Sequence, residues 1–316
     1  MRSGTSTLSH AIRPWLARVW AVRICWCVLW CAWGVQAGDL PVPHIGSLGD
    51  TAAVTFRGPF GVSVGADGQV YVADDLAHTI YVFDRQHQLR ATIGRHGRKP
   101  GELAWVDAVV ADAAGHLFIA DTGNDRVQVL DPHHTVQRTF GRRGQKPGEF
   151  QNPRGIALDS QGRIYVADWG NHRIQVFDQQ GQLLRHFGEL GTQPGQFNSP
   201  LTLFINPDDH VWVCDFKNHR IQRFSTAGQV LATWGTQGAN ALRYPSGIAQ
   251  DAQGRVYVAD SGNHRIQVFT ADGMWLDAWG HDGVLQEPTS VAVRAHGEIY
   301  VVDKGQRRVH IFPPRP

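Results

Sequence analysis

The 316-residue chain is poor in cysteine: it has four, and three of them, Cys25, Cys27 and Cys31, crowd into the first 37 residues. Beyond that stretch only Cys214 remains, so no internal disulfide can form there and stability must come from packing. No run approaches the roughly twenty uninterrupted apolar residues of a membrane helix, which excludes a multi-span helical membrane protein. Charged residues are also scarce, 18% against 42% hydrophobic, and together with 35 Gly and 16 Pro this excludes an acidic disordered tail, a coiled coil and a collagen.

The first 37 residues read as an export signal. Arg2, Arg13, Arg18 and Arg23 precede an apolar stretch over residues 24–35, and Val35 and Ala37 supply the small residues of a cleavage site. A stretch this short falls well below a bilayer core of about 30 Å, so a cleaved signal peptide is expected, with an uncleaved membrane anchor as the alternative. The mature chain is then exported, periplasmic or secreted, with residues 38–50 as a linker and residues 51–316 as the folded domain. Cleavage removes four bases and no acids, turning 30 against 28 into 26 against 28. That balance gives no global pull toward nucleic acid, so such a partner is disfavoured.

What is abundant is repetition. An Asp closing a short apolar run recurs at Asp74, Asp121, Asp168, Asp215, Asp260 and Asp303, in steps of 47, 47, 47, 45 and 43 residues. Within residues 153–188, the stretches 155–158, 163–167, 174–177 and 182–187 are short, rich in β-branched and aromatic residues, and separated by Asp and Gly turn chemistry. Four antiparallel strands per unit make a propeller blade, and helical solenoids do not fit. The expected fold is therefore all-β, a six-bladed β-propeller of four-stranded antiparallel blades. The sixth copy stops at Phe312 after its third strand, so an N-terminal strand is expected to complete the last blade, and residues 53–56 read as that strand.

The blocks DWGNHRIQVF from Asp168, DFKNHRIQRF from Asp215 and DSGNHRIQVF from Asp260 resemble NHL repeats, and the resemblance runs over roughly residues 53–312. It implies a six-bladed propeller. It leaves function open, because relatives include RNA-binding and protein-binding modules, secreted envelope proteins and a few enzymes. The repeated Asp and the Arg five residues on, present in five blades as Arg126, Arg173, Arg220, Arg265 and Arg308, read as a pair that stabilises the turn. His78, His172, His219 and His264 share one slot but sit on separate blades, too far apart to hold one metal ion.

Propeller geometry puts the turns between second and third strands on one face, the expected binding surface, for a protein, peptide or glycan. The residue in the slot after the first-strand Pro, placed by alignment of the copies, points into it: Phe60, Asp107, Arg154, Leu201, Ser246 and Thr289. The residue after each repeated Asp adds Trp169, Phe216 and Lys304, together with Asp75, Thr122 and Ser261. Arg154, Trp169 and Phe216 combine aromatic area with a guanidinium, as binding hot spots do, although packing between blades explains the two rings equally well. Arg95, Arg98 and Lys99, then Arg142, Arg143 and Lys146, mark two basic loops that suit an anion or are simply solvated.

Signals of catalysis are weak. Some NHL relatives are amidating lyases that hold zinc with His after the inner-strand Pro, and none of the six corresponding residues here is His. Residues 61–65 match G-x-S-x-G, but Ser63 falls inside a first strand rather than at a strand-to-helix elbow. Asp107 and Arg154 read as a structural ion pair, no metal site is expected, and a divalent cation at the channel would need more oxygen ligands than the rim supplies. The expected function is a non-catalytic binding or scaffold module without cofactor; the alternative is a propeller hydrolase or lyase acting at the channel mouth.

Overall fold

Each copy of the repeat forms four consecutive antiparallel strands. In blade three they are Pro153–Leu158, Ile164–Asp168, Arg173–Phe177 and Leu183–Phe187. The turn between the first two closes on Asp159, whose Oδ1 accepts the Gln161 and Arg163 N–H groups, the Asx-type turn that the Asp and Gly spacing called for. The computed structural model describes residues 44–49, 54–281 and 283–315; the expected signal segment, residues 1–37, lies outside the described residues.

Six such sheets make the propeller. Their second strands are buried at every position, because each sheet is covered on both faces. Tyr165, Ala167, Ile174 and Val176 of blade three, for example, share one apolar cluster with Leu203, Val211 and Val213 of blade four. The core is thus a set of layers between blades rather than one central mass. Around the axis the first strands converge, and a Cβ on Gly155 would stand 2.7 Å from the Leu201 carbonyl oxygen of the next blade. Only glycine allows that approach. A register shift follows Pro153, and its counterparts follow the first-strand Pro of blades one, four, five and six, so the residues after these prolines are re-aimed at the channel mouth.

The last blade is completed by an N-terminal strand, but not by residues 53–56. The closing strand is Gly46–Leu48, paired antiparallel with Arg308–Phe312. It therefore lies inside the stretch expected to be linker, residues 38–50, and the propeller starts before residue 51. The reason is visible in the packing. Phe56 is buried in the layer between blades six and one, and a Cβ on Gly49 would overlap its ring, as one on Gly141 would overlap Phe150 and one on Gly188 would overlap Phe197. Residues 54–56 are thus the plug that precedes a first strand, while Gly49 is the left-handed glycine that ends a fourth strand. Ala53 lies outside the described residues.

Removing residues 44–49 would expose the edge of the Arg308–Phe312 strand and uncover the site of Leu48. We expect a lower melting temperature and concentration-dependent association in light scattering. A monomer with the melting temperature of the intact chain would contradict closure by this strand.

Candidate functional site

The face bearing the turns between second and third strands is organised by the repeated aspartate. In blade three Asp168 is fully buried and accepts four hydrogen bonds: from the Gln151 backbone N–H at 2.8 Å, Asn171 Nδ2 at 2.9 Å, Arg173 Nε at 2.8 Å and Gln175 Nε2 at 3.0 Å. Arg173 continues to the carbonyls of Lys146 and Glu149, and Asn171 to that of Gly144. One carboxylate therefore ties the loop leading into a blade to the turn of the same blade. Burial pushes the Asp168 and Asp215 carboxyls up, opposed by these donors. The Asp and Arg pairs expected from the repeat are present at 2.7, 2.8, 2.7 and 2.9 Å in blades two to five. Blade one, with Thr79 in the Arg slot, instead uses Asp74 to accept the Arg57, Gly58 and Ala77 N–H groups.

The histidine slot joins one blade to the next. His78, His172 and His219 each accept, through Nδ1 at 3.0 Å, the backbone N–H of Trp105, Ser199 and Tyr244 respectively. In blade two Asp125 does the same for Asn152, at 2.7 Å. All four recipients are non-glycine residues with φ between 48° and 60°, just ahead of the first strand, and the hydrogen bond helps hold that costly conformation. His172 keeps Nδ1 free to accept because burial, then Lys217, lower its pKa. Among the described residues no group of three or more His, Cys, Asp or Glu is placed to hold a metal ion.

Above the channel these supports frame a bowl of about 310 Å³, lined by Phe60, Arg154, Trp169, Leu201, Phe216, Tyr244, Ser246, Ser261, Glu287 and Thr289. Below it the channel holds a second cavity, lined by apolar residues that include Val62, Val109, Ile156, Leu203, Ile248 and Val291 together with the polar Ser63, Thr202, Gln250 and Ser290. On the side of blades six to three, charges and rings alternate. Lys304 Nζ lies 2.7 Å from Asp75 and 5.0 Å from the Phe60 ring centre. The Arg154 guanidinium lies 2.9 Å from Asp107, 5.7 Å from the centre of Phe60 and 5.1 Å from that of Trp169. Lys217 follows at 4.9 Å from Trp169, and Phe216 packs on Tyr244 at 5.1 Å. Asp107 is buried beneath Arg154; desolvation pushes its carboxyl up to about 6, with Arg154 opposing the shift and Asp75 adding to it.

The structure thus brings Phe60, Arg154, Trp169, Leu201, Phe216, Ser246 and Thr289 into one cavity, with Asp107 under its wall and Lys304 behind Phe60. Tyr244 and Glu287 were missed by sequence reasoning, which followed the residue after each Pro and not the one before it. The basic loops stand apart from this cavity. Arg95 pairs with Glu102 at 3.2 Å and Arg142 with Glu149 at 2.9 Å. The same glutamates accept the backbone N–H groups of Arg98, Lys99 and Lys146. Part of the loops' positive charge is thus spent within them, while the side chains of Arg98, Lys99, Arg143 and Lys146 are exposed. Ser63 lies within the strand Pro59–Val64, which runs into a turn at Gly65 rather than a helix, so no nucleophile elbow forms.

Fold and face together define a six-bladed β-propeller with a bowl at one mouth of its channel. Three of the repeats are NHL repeats: the NHL repeat family model matches residues 150–177, 197–224 and 242–269, which fall on blades three, four and five. The chain is similar in fold to a streptogramin B lyase (18% identity, 83% of this chain and 84% of that one, TM-score 0.61). It is also similar to a catalytically inactive virginiamycin B lyase from Staphylococcus aureus with quinupristin (17% identity, 85% and 87%, TM-score 0.62). Hydrazine synthase of Kuenenia stuttgartiensis is a further structural relative (14% identity, 88% and 98%, TM-score 0.59). At these identities the likeness is one of fold. No curated protein matches the sequence.

Two measurements check the supports. His172→Ala leaves the Ser199 N–H without its acceptor and should cost about 1–3 kcal/mol in urea unfolding, whereas His172→Asp, which copies blade two, should recover much of that loss; equal losses would contradict the latch. For Asp107, a carboxyl pKa raised to about 6 means that the folded state holds the proton more tightly than the unfolded chain. The group's contribution to stability is full below pH about 4 and falls as pH rises to about 6. The melting temperature of Asp107→Asn relative to the parent should therefore climb across that window and level off above it; a flat difference would refute the shift.

Proposed function

We propose that the chain is a non-catalytic binding module that takes a protein, peptide or glycan in the bowl at its channel mouth. The observation that carries this reading is the division of the wall. The charged groups most capable of chemistry, Asp75, Asp107, Arg154 and Lys304, are matched into two ion pairs, while Trp169, stacked on Arg154, and Phe216, Tyr244 and Leu201 beyond it offer apolar surface. Clustered aromatic side chains beside an arginine are the composition of a binding hot spot. A site in the exported space, periplasmic or extracellular, follows from the N-terminal sequence pattern, and no cofactor is invoked.

The second reading is a hydrolase or lyase at the same mouth. It draws on the two lyases among the structural relatives and on Asp107, whose raised pKa suits proton transfer. Its weakness is that Arg154 covers that carboxylate.

Screening immobilised residues 38–316 against peptides and oligosaccharides should find ligands whose affinity drops at least tenfold in Trp169→Ala/Phe216→Ala, with the circular dichroism spectrum unchanged. Ligands bound equally well by both proteins would place binding elsewhere, and turnover lost in Asp107→Asn would favour the lyase reading.

A further inference from the structure

The bowl has a polarity that narrows its ligand. On the side of blades three and four its polar groups are donors: the Arg154 guanidinium, 28% exposed, with the exposed ammonium of Lys217 beyond Trp169. On the side of blades five and six the polar groups that line the bowl are acceptors, the Lys304 ammonium of blade six lying behind Phe60 and paired with Asp75. The hydroxyl protons there are already used: Thr289 donates to the Phe60 carbonyl at 2.8 Å, Ser261 donates to that of Pro288, and Ser246 shares its proton with Ser261 or the Tyr244 carbonyl. What they present to the cavity is oxygen lone pairs, and beside them stands the exposed carboxylate of Glu287. Blades three and six face each other across a six-membered ring, so Arg154 and Glu287 approach the cavity from opposite sides. Between them lie Trp169, Leu201, Phe216 and Tyr244.

We infer that the bowl takes a short peptide with free ends, its terminal carboxylate on Arg154, its terminal ammonium on Glu287 and an apolar or aromatic side chain against the Trp169, Phe216 and Tyr244 wall. This rests on the reading of the bowl as a binding site and names its ligand class. The charge complementarity disfavours a neutral glycan, which would leave Glu287 without a counter-charge, and a purely anionic ligand, which would meet Glu287. A volume of about 310 Å³ is at the small end of ligand pockets, the size for a few residues rather than a folded partner. Capture of chain ends by fixed charges is an established mode of peptide recognition.

The test is calorimetry of residues 38–316 with Ala-Trp-Ala as probe, beside its N-acetylated form, its C-amidated form and cellohexaose. The free tripeptide should bind, and each blocked form should bind at least tenfold more weakly. Glu287→Gln should abolish the penalty for N-acetylation alone. Asp107→Asn/Arg154→Gln, which removes a charge pair without stranding either partner, should abolish the penalty for C-amidation alone. Lys217→Gln, exposed and outside the cavity wall, serves as a second variant should the double variant fail to fold, and should reduce the amidation penalty. Blocked and free peptides binding alike, or cellohexaose displacing the tripeptide with higher affinity, would overturn the peptide-end assignment while leaving the bowl as a binding site. Absence of binding by every probe, combined with retention of screened ligands in Trp169→Ala/Phe216→Ala, would overturn the bowl reading as well.

Discussion

A buried carboxylate at the end of each second strand is the constraint on which the face bearing the bowl depends. Asp168 shows why: with its four donors it fastens the loop that leads into blade three to the turn that leaves its second strand. Those two segments carry Arg154 and Trp169, so the same carboxylate that stabilises the turn sets the spacing of the bowl's wall. A buried charge is tolerable only because every donor is supplied, and removal of one partner would leave the others uncompensated. The histidine and Asp125 bonds extend this from blade to blade, linking blades one to five along the rim.

Linkage of that kind separates the two jobs of the repeat. The aspartate, asparagine, arginine and glutamine side chains are consumed in holding loops, and what varies over them, Phe60, Asp107, Arg154, Leu201, Ser246 and Thr289, is free to differ from blade to blade. Blade six and blades one to three supply charge, and blades three to five supply most of the aromatic surface. The polarity of the bowl follows from that uneven distribution on an otherwise regular scaffold.

Much of the fold was legible because periodicity needs no tertiary knowledge. The spacing of six aspartates defined the blades, and the alternation within a unit defined the strands. The closing strand was misplaced for a specific reason. Val54, Thr55 and Phe56 have strand-like side chains, yet their role is set by Gly49, seven residues before Phe56. The same interval separates Gly235 from Leu242, where a Cβ on the glycine would again meet the plug residue. That pairing lies in packing and not in local propensity. For the site, the residues after the prolines were legible from register alone, whereas Tyr244 and Glu287 precede their prolines. Tyr244 reaches the bowl through a left-handed conformation held by His219, a contact between residues 25 apart. The role of the histidine slot was not legible, because the partner of His78, His172 and His219, a backbone N–H of the next blade, leaves no mark in side-chain sequence.

The most direct measurement is amide hydrogen exchange on Asp168→Asn beside the parent protein. The account predicts faster exchange confined to residues 144–154 and 169–175, with the Ile164–Asp168 strand and distant blades still protected. Unchanged protection at residues 144–154, or a uniform loss over all blades, would contradict the claim that this carboxylate holds the rim.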